Sequence, residues 1–314
     1  MVATHLSNYP GGFRTGLSVR NLPMFETYAG NIWWVSSTRG SNGNKGTRDK
    51  PFATIAYAMT RAVASNNDVI LAMPYHAETI TAAAGIAHNL AGVSVIGLGV
   101  GVSRPTITIG TVAGATYAIT AADAYLENLV FVGNLSNVTN AITTTKAGTT
   151  LNGLEFQNAG TNLDFLTPIA ATSTTTSDNN DLTVANCRWH TIDTDDLHMI
   201  DIVGTISRTR VYNNFMVSAG TVSPFIKVAT GKLLLGADIG WNRVVNAMTA
   251  NELFISNDGT TNTGIIHNNY VGHADVTGTH DAGWDGDNFR LFNNLSTSVD
   301  NLSGFVFPAI DVNL

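Results

Sequence analysis

Five short segments set a turn-forming or corner residue at nearly even intervals along the second half of the chain. They are Val184-Ala185-Asn186-Cys187, Val211-Tyr212-Asn213-Asn214, Ile239-Gly240-Trp241-Asn242, Ile266-His267-Asn268-Asn269 and Leu291-Phe292-Asn293-Asn294. Their third residues are 27, 28, 27 and 25 positions apart. A second series, Ile119, Ile142, Ile169, Ile202, Val228 and Ile255, advances by 23, 27, 33, 26 and 27. Two series moving together mean one short unit stacked on itself.

Each unit is built of strands, because the register residues sit in short apolar or alternating runs such as Met199-Ile200-Asp201-Ile202-Val203. No unit holds a helix-length pattern, leucine-rich repeats need a denser leucine frame, and propeller blades need a longer period. A coil of three short strands per turn remains: an all-β, single-stranded right-handed parallel β-helix. Eight to ten rungs at about 4.8 Å make a rod of roughly 40–50 Å. Asn186, Asn213, Trp241, Asn268 and Asn293 form its structural ladder. Asn tolerates the left-handed backbone of a sharp corner, and stacked amides can bond from rung to rung. The chain is 44% hydrophobic yet 12% charged, with 30 glycines, which suits a solenoid of small and β-branched faces. A net charge of −7 gives no reason to expect nucleic acid or an anionic membrane as partner. The single cysteine, Cys187, excludes an intrachain disulfide and reads as a buried corner residue. Met1 to His5 lacks the basic flank and apolar core of a secretory leader, and no run reaches the roughly 20 apolar residues of a membrane span. The expectation is a soluble protein made in the cytoplasm.

Three parts follow from the pattern. Residues 1–34 stand outside the repeat and carry Tyr9, Phe13, Arg14, Arg20, Phe25, Trp33 and Trp34 among turn formers. This reads as an N-terminal arm that docks on a partner or folds over the first rung. Residues 35–299 are the β-helix domain. Near 52–64, Pro51 and the spacing of Ile55, Ala58, Met59 and Ala62 mark a short amphipathic capping helix. Such a helix shields the unpaired backbone of a first rung. Residues 300–314 form a C-terminal cap or tail. The Thr- and Asn-rich stretch 172–180 reads as a loop bulging where the second series widens to 33.

The entry segment from Gly40 to Ile55, with Gly46-Thr47 and Pro51-Phe52-Ala53-Thr54-Ile55, is followed by Asp68-Val69-Ile70-Leu71-Ala72-Met73-Pro74 and Gly92-Val93-Ser94-Val95-Ile96-Gly97-Leu98-Gly99. Together these resemble the entry of pectin-lyase-like right-handed β-helix proteins. More narrowly, they resemble short β-helix structural proteins of tailed bacteriophages. The resemblance implies the fold. Its members include polysaccharide lyases, glycosidic tailspikes and non-enzymatic capsid decoration proteins, so activity must be read from sites.

Glycan hydrolysis calls for two carboxyl groups about 5–9.5 Å apart. The register offers no acids on neighbouring rungs: Asp201 maps onto Lys227, and Asp193, Asp195 and Asp196 map onto Gly220, Val222 and Ser223. Within one strand, Asp193 and Asp195 would share a face roughly 6.5–7 Å apart, with His198 nearby. A second polar patch, His273, Asp275, His280, Asp281, Asp285 and Asp287, matches no metal-ligand spacing, and no metal or cofactor is expected. The chain is also short beside a tailspike, and flat β-helix faces favour closed three-fold packing. The expectation is therefore a non-enzymatic virion structural protein: a homotrimeric capsid decoration protein on the virion surface, docked through its arm to the phage major capsid protein. The alternative is a carbohydrate-active enzyme, hydrolase or lyase, working through Asp193, Asp195 and His198, or an adhesin for host-surface glycans.

Overall fold

The computed structural model describes residues 18–19, 22–23, 30–160, 162–172, 180–191, 194, 197–219, 224–246, 254–257, 261–273, 288–297 and 304–306. Strands dominate and stack as a parallel β-solenoid, with sheets of ten, ten and seven strands. The first sheet runs from Ile32–Val35 to Asn288–Phe292, and the third from Ile86–His88 to Ile255–Asn257. The second begins at Ala77–Ile80 and ends at Asn294–Thr297, against which Gly304–Val306 pairs antiparallel. A turn such as Tyr125–Glu127, Val130–Gly133, Val138–Thr144 visits the three sheets in order. Trp33 and Trp34 lie in the first strand, paired parallel with Val69–Ala72, so the coil already includes residue 32.

Strand alternation builds the core. On the second sheet, Ile107, Phe131, Phe156, Trp189, Met216, Val244 and Val271 occupy one inward column, each buried. Phe131 stacks on Phe156 at 5.6 Å between ring centroids. The second sequence series needs a correction in register. Ile142 does pair with Ile169, but Ile119 pairs with Thr144, Ile169 with Ile200, and Val228 with Asn257. The slip is two residues in each mismatched step, and a two-residue slip leaves every side chain on the same face, so an apolar pattern cannot detect it.

The corner between the first and second sheets is held differently. Asn128, Gly153, Asn186, Asn213, Trp241, Asn268 and Asn293 all adopt φ between 53° and 61°. The residue after each corner points inward, and from Asn214 onward it is a buried Asn: Asn214, Asn242, Asn269 and Asn294. The Asn242 Oδ1 accepts from the Asn214 backbone N–H at 3.0 Å and from its Nδ2 at 2.9 Å. Its own Nδ2 donates to Val211 O at 2.9 Å and to Asn269 Oδ1 at 3.0 Å. The column repeats this from Asn269 to Asn294. Cys187 heads it: its backbone N–H donates to Asn214 Oδ1 at 2.9 Å, and its thiol lies 3.3 Å from Ala185 O. Burial pushes that thiol up to about 12.

At the N-terminal end, a helix α1, Ile55–Met59, buries Ile55, Ala58 and Met59. Thr54 caps it locally, accepting from Tyr57 N–H at 3.1 Å. Glu78, from the second sheet, caps it from outside by accepting from Ile55 N–H at 2.7 Å. Buried Asp68 ties the loop after the helix to the first strand, accepting from Asn31 N–H at 2.7 Å, Val63 N–H at 2.9 Å and Trp33 Nε1 at 3.1 Å. Burial would raise its pKa, but these donors hold the carboxyl below its usual value. His88 sits in the core, with Nε2 3.0 Å from Val93 O and Nδ1 3.2 Å from the Tyr117 hydroxyl. Burial lowers it from 6.5 to about 4, against the pull of the Val93 carbonyl.

Two consequences are measurable. Asn242→Leu removes four amide bonds and strands their partners, so it should cost roughly 3–5 kcal/mol in urea unfolding. Cys187→Asn, which lengthens the column, should hold or raise the same midpoint. For His88 the folded pKa is depressed, so the unfolded chain binds its proton first. Stability is then complete above about pH 6.5 and falls toward about pH 4, by roughly 3 kcal/mol in all. His88→Gln should flatten that part of the stability–pH curve.

Candidate active-site groove

Outward-facing residues of the second sheet line up as strictly as the inward ones. Strands Glu155–Asn158, Arg188–His190 and Phe215–Ser218 pair in parallel, so Glu155, Arg188 and Phe215 form one column and Gln157, His190 and Val217 the next. Rungs are about 4.8 Å apart, and the two columns about 6.5–7 Å apart along the strands. These side chains line an open groove of about 580 Å³. Arg243 and Tyr270 continue the first column, the guanidinium lying 6.0 Å from the Tyr270 ring centre.

One deeply anchored side chain braces the groove through Glu155. Arg104, in the turn before Thr106–Ile109, crosses two rungs and donates to Leu129 O at 3.1 Å and Gly153 O at 2.5 Å. Its other nitrogen reaches Glu155 Oε2 at 2.6 Å. Burial lowers the Arg104 pKa, Glu155 opposes that shift, and the nearby charge of Arg188 adds to it. Gln157 Nε2 donates to the second Glu155 oxygen at 2.5 Å. Both Glu155 oxygens are thus engaged. The Arg188 and His190 side chains are exposed and make no ion pair or hydrogen bond among the described residues. A solvent-facing guanidinium and imidazole, two residues apart on one strand face, form an anion-receptive pair.

Of the residues proposed from sequence, those among the described residues do not line the groove. Asp193 and Asp195 lie outside the described residues, as do Tyr9, Phe13, Arg14, Arg20 and Phe25. His198 is buried, with Nε2 3.6 Å from Asp201 Oδ2 on the third sheet, where Asp201 neighbours Lys227. Trp33 stacks on Phe52 at 5.7 Å, and Arg48 lies over Trp34 at 5.8 Å. Of the C-terminal polar patch, only His273 is among the described residues, and among those residues no cluster of metal-ligating side chains occurs.

The groove residues were missed for a definable reason. The corner is followed by an in–out–in–out phase: Leu154-Glu155-Phe156-Gln157, Cys187-Arg188-Trp189-His190, Asn214-Phe215-Met216-Val217. Reading outward positions off that phase finds the groove, but the corner before Asn186 is Gly153, 33 residues back instead of 27.

No protein-family model and no curated protein matches the chain. Among solved structures it is similar to a rhamnogalacturonan lyase, 13% identical with a TM-score of 0.42, over 88% of this chain and 87% of that one. It is also similar to the GH136 lacto-N-biosidase from Eubacterium ramulus, 11% identical with a TM-score of 0.33, over 85% of this chain and 68% of that one. These neighbours are a lyase and a glycosidase, and with them the expectation of a non-enzymatic virion decoration protein is corrected. The likeness transfers no residue roles, and the chemistry has to come from the groove itself.

Arg104 is the element to test for groove integrity. Arg104→Gln leaves the Leu129 and Gly153 carbonyls and Glu155 without their shared donor, and should cost roughly 2–4 kcal/mol in denaturant unfolding. Adding Glu155→Gln to that variant should recover part of the loss.

Proposed function

We propose that the protein is a carbohydrate-active enzyme that binds an acidic polysaccharide in the second-sheet groove and cleaves it by β-elimination. The observation that carries this reading is the uncommitted Arg188–His190 pair beside an Arg104-anchored Glu155. The Arg188 guanidinium suits a uronate carboxylate in planar, two-point fashion. Neutralising that carboxylate makes the adjacent C–H more acidic. His190, on the same strand face, takes the α proton. The electron pair forms the new C=C bond as the β C–O bond breaks, and the departing sugar oxygen takes a proton from water. Glu155 and Gln157 offer hydrogen-bonding partners for ring hydroxyls, and Phe215 an apolar ring face. Hydrolysis fits the groove less well, since it needs two carboxyl groups about the scissile bond. Among the described residues lining the groove, Glu155 is the one carboxylate. In the same reading, helix α1 serves as the cover of the coil's first rungs.

The test is incubation with polygalacturonate, rhamnogalacturonan, alginate and hyaluronate, following the ultraviolet absorbance of unsaturated uronide ends. One of these should yield product, and His190→Ala should lower kcat by about 10²–10⁴-fold. Arg188→Ala should chiefly raise KM. Activity untouched by His190→Ala would remove this assignment, and binding without product would make the groove a lectin site.

A further inference from the structure

Six of seven consecutive corners between the first and second sheets are Asn or Gly, and the seventh is Trp241, at φ 61°. A bulky L-residue is strained in the left-handed region, whereas Asn and Gly settle there readily. Trp241 also breaks an exterior amide ladder. Asn186 donates to Asn152 at 2.7 Å, Asn213 donates to Asn186 at 2.5 Å, and Asn293 donates to Asn268. At Trp241 there is no amide to continue it, and Asn268 Nδ2 turns instead to His267 Nδ1 at 2.8 Å. Despite this strain Trp241 is 61% exposed. The fold gains little from it.

What the indole does join is a set of ordered rings. Its centroid lies 6.5 Å from that of His267, at 89°. His267 stacks on Phe292 at 5.1 Å and 6°, and Phe292 is itself 48% exposed. Gly240 makes the arrangement possible, since an added Cβ there would stand 2.4 Å from the His267 ring. With Nδ1 accepting from Asn268, His267 Nε2 donates to Asp238 Oδ1 at 2.9 Å. The Asp238 side chain is 60% exposed. Arg210, its cross-strand neighbour, forms no ion pair with it.

We propose that Trp241, His267, Phe292 and Asp238 form a binding platform for a neutral, hydroxyl-rich sugar ring. An exposed indole accepts the apolar face of a pyranose, and a fixed carboxylate at its side accepts hydrogen bonds from adjacent hydroxyls. Asp238 disfavours a uronate here, which sets this surface apart from the cationic groove. None of the four residues lines that groove, so the platform stands whether or not the groove is catalytic.

Trp241→Asn supplies a clean test, because it restores both the favoured corner residue and the exterior ladder. Neutral galactan, mannan, glucan and xylan oligosaccharides, with polygalacturonate beside them, are titrated against the full chain, reading tryptophan fluorescence and heat. A saturable response is expected for at least one of them. That response should be lost in Trp241→Asn, weakened in Asp238→Asn, and unchanged in His190→Ala, while the Trp241→Asn unfolding midpoint stays equal or rises. Four results would overturn the proposal: no response to any neutral probe, a response that survives Trp241→Asn, a stronger Trp241-dependent response to polygalacturonate, or a lowered midpoint in Trp241→Asn. A drop in native mass on substitution, by light scattering, would do so too, by assigning the surface to a second copy of the chain.

Discussion

The amide column Asn214–Asn242–Asn269–Asn294 is the interaction on which the rest of the coil's second half is aligned. Each inner amide spends both its donors and both its acceptor directions on neighbouring rungs. In a dry interior such bonds polarise one another, and an unmatched amide is expensive. A strand slipped by one residue would turn an Asn outward and push a corner residue in. The column therefore does what apolar packing alone cannot, which is to distinguish one register from its neighbours.

Register then becomes chemistry. Because each corner starts the second sheet at the same phase, two outward columns follow automatically, and whatever residues occupy them are brought within reach of each other. Glu155, Arg188 and Phe215 are distant in sequence and adjacent in space for that reason alone. Arg104 adds rigidity from a turn outside the columns, bonding to carbonyls of two successive rungs before it meets Glu155. Groove side chains on such a scaffold are placed by backbone pairing, with little dependence on loops.

The corner asparagines were legible because left-handed backbone is a local demand that a few residue types satisfy, and Asn213, Asn268 and Asn293 announce it. The parallel solenoid followed from their spacing. Rung-to-rung amide bonding was foreseen at the corner residues, where Asn186–Asn213 and Asn268–Asn293 make it, but the second, buried column one residue further on was not. Sheet register was legible only to within two residues, as Ile119 and Ile169 show. The groove stayed hidden because paired carboxylates, on neighbouring rungs or within one strand, were the expected signature, whereas the structure assembles one carboxylate, one guanidinium and one imidazole across rungs separated by an irregular step. Trp241 was read as a ladder member, and its exposure could not be seen without its neighbours.

Cys187 gives the coil a built-in clock. The chain holds one cysteine, and it lies at the head of the amide column, fully buried and with its thiol held far from ionisation. A stacked coil frays from its ends, rung by rung, before its middle opens. Alkylation of this thiol therefore waits on separation of the mid-coil rungs, and its rate in native buffer reports how often the interior of the solenoid parts company with itself, a quantity that end-sensitive spectroscopic probes do not see.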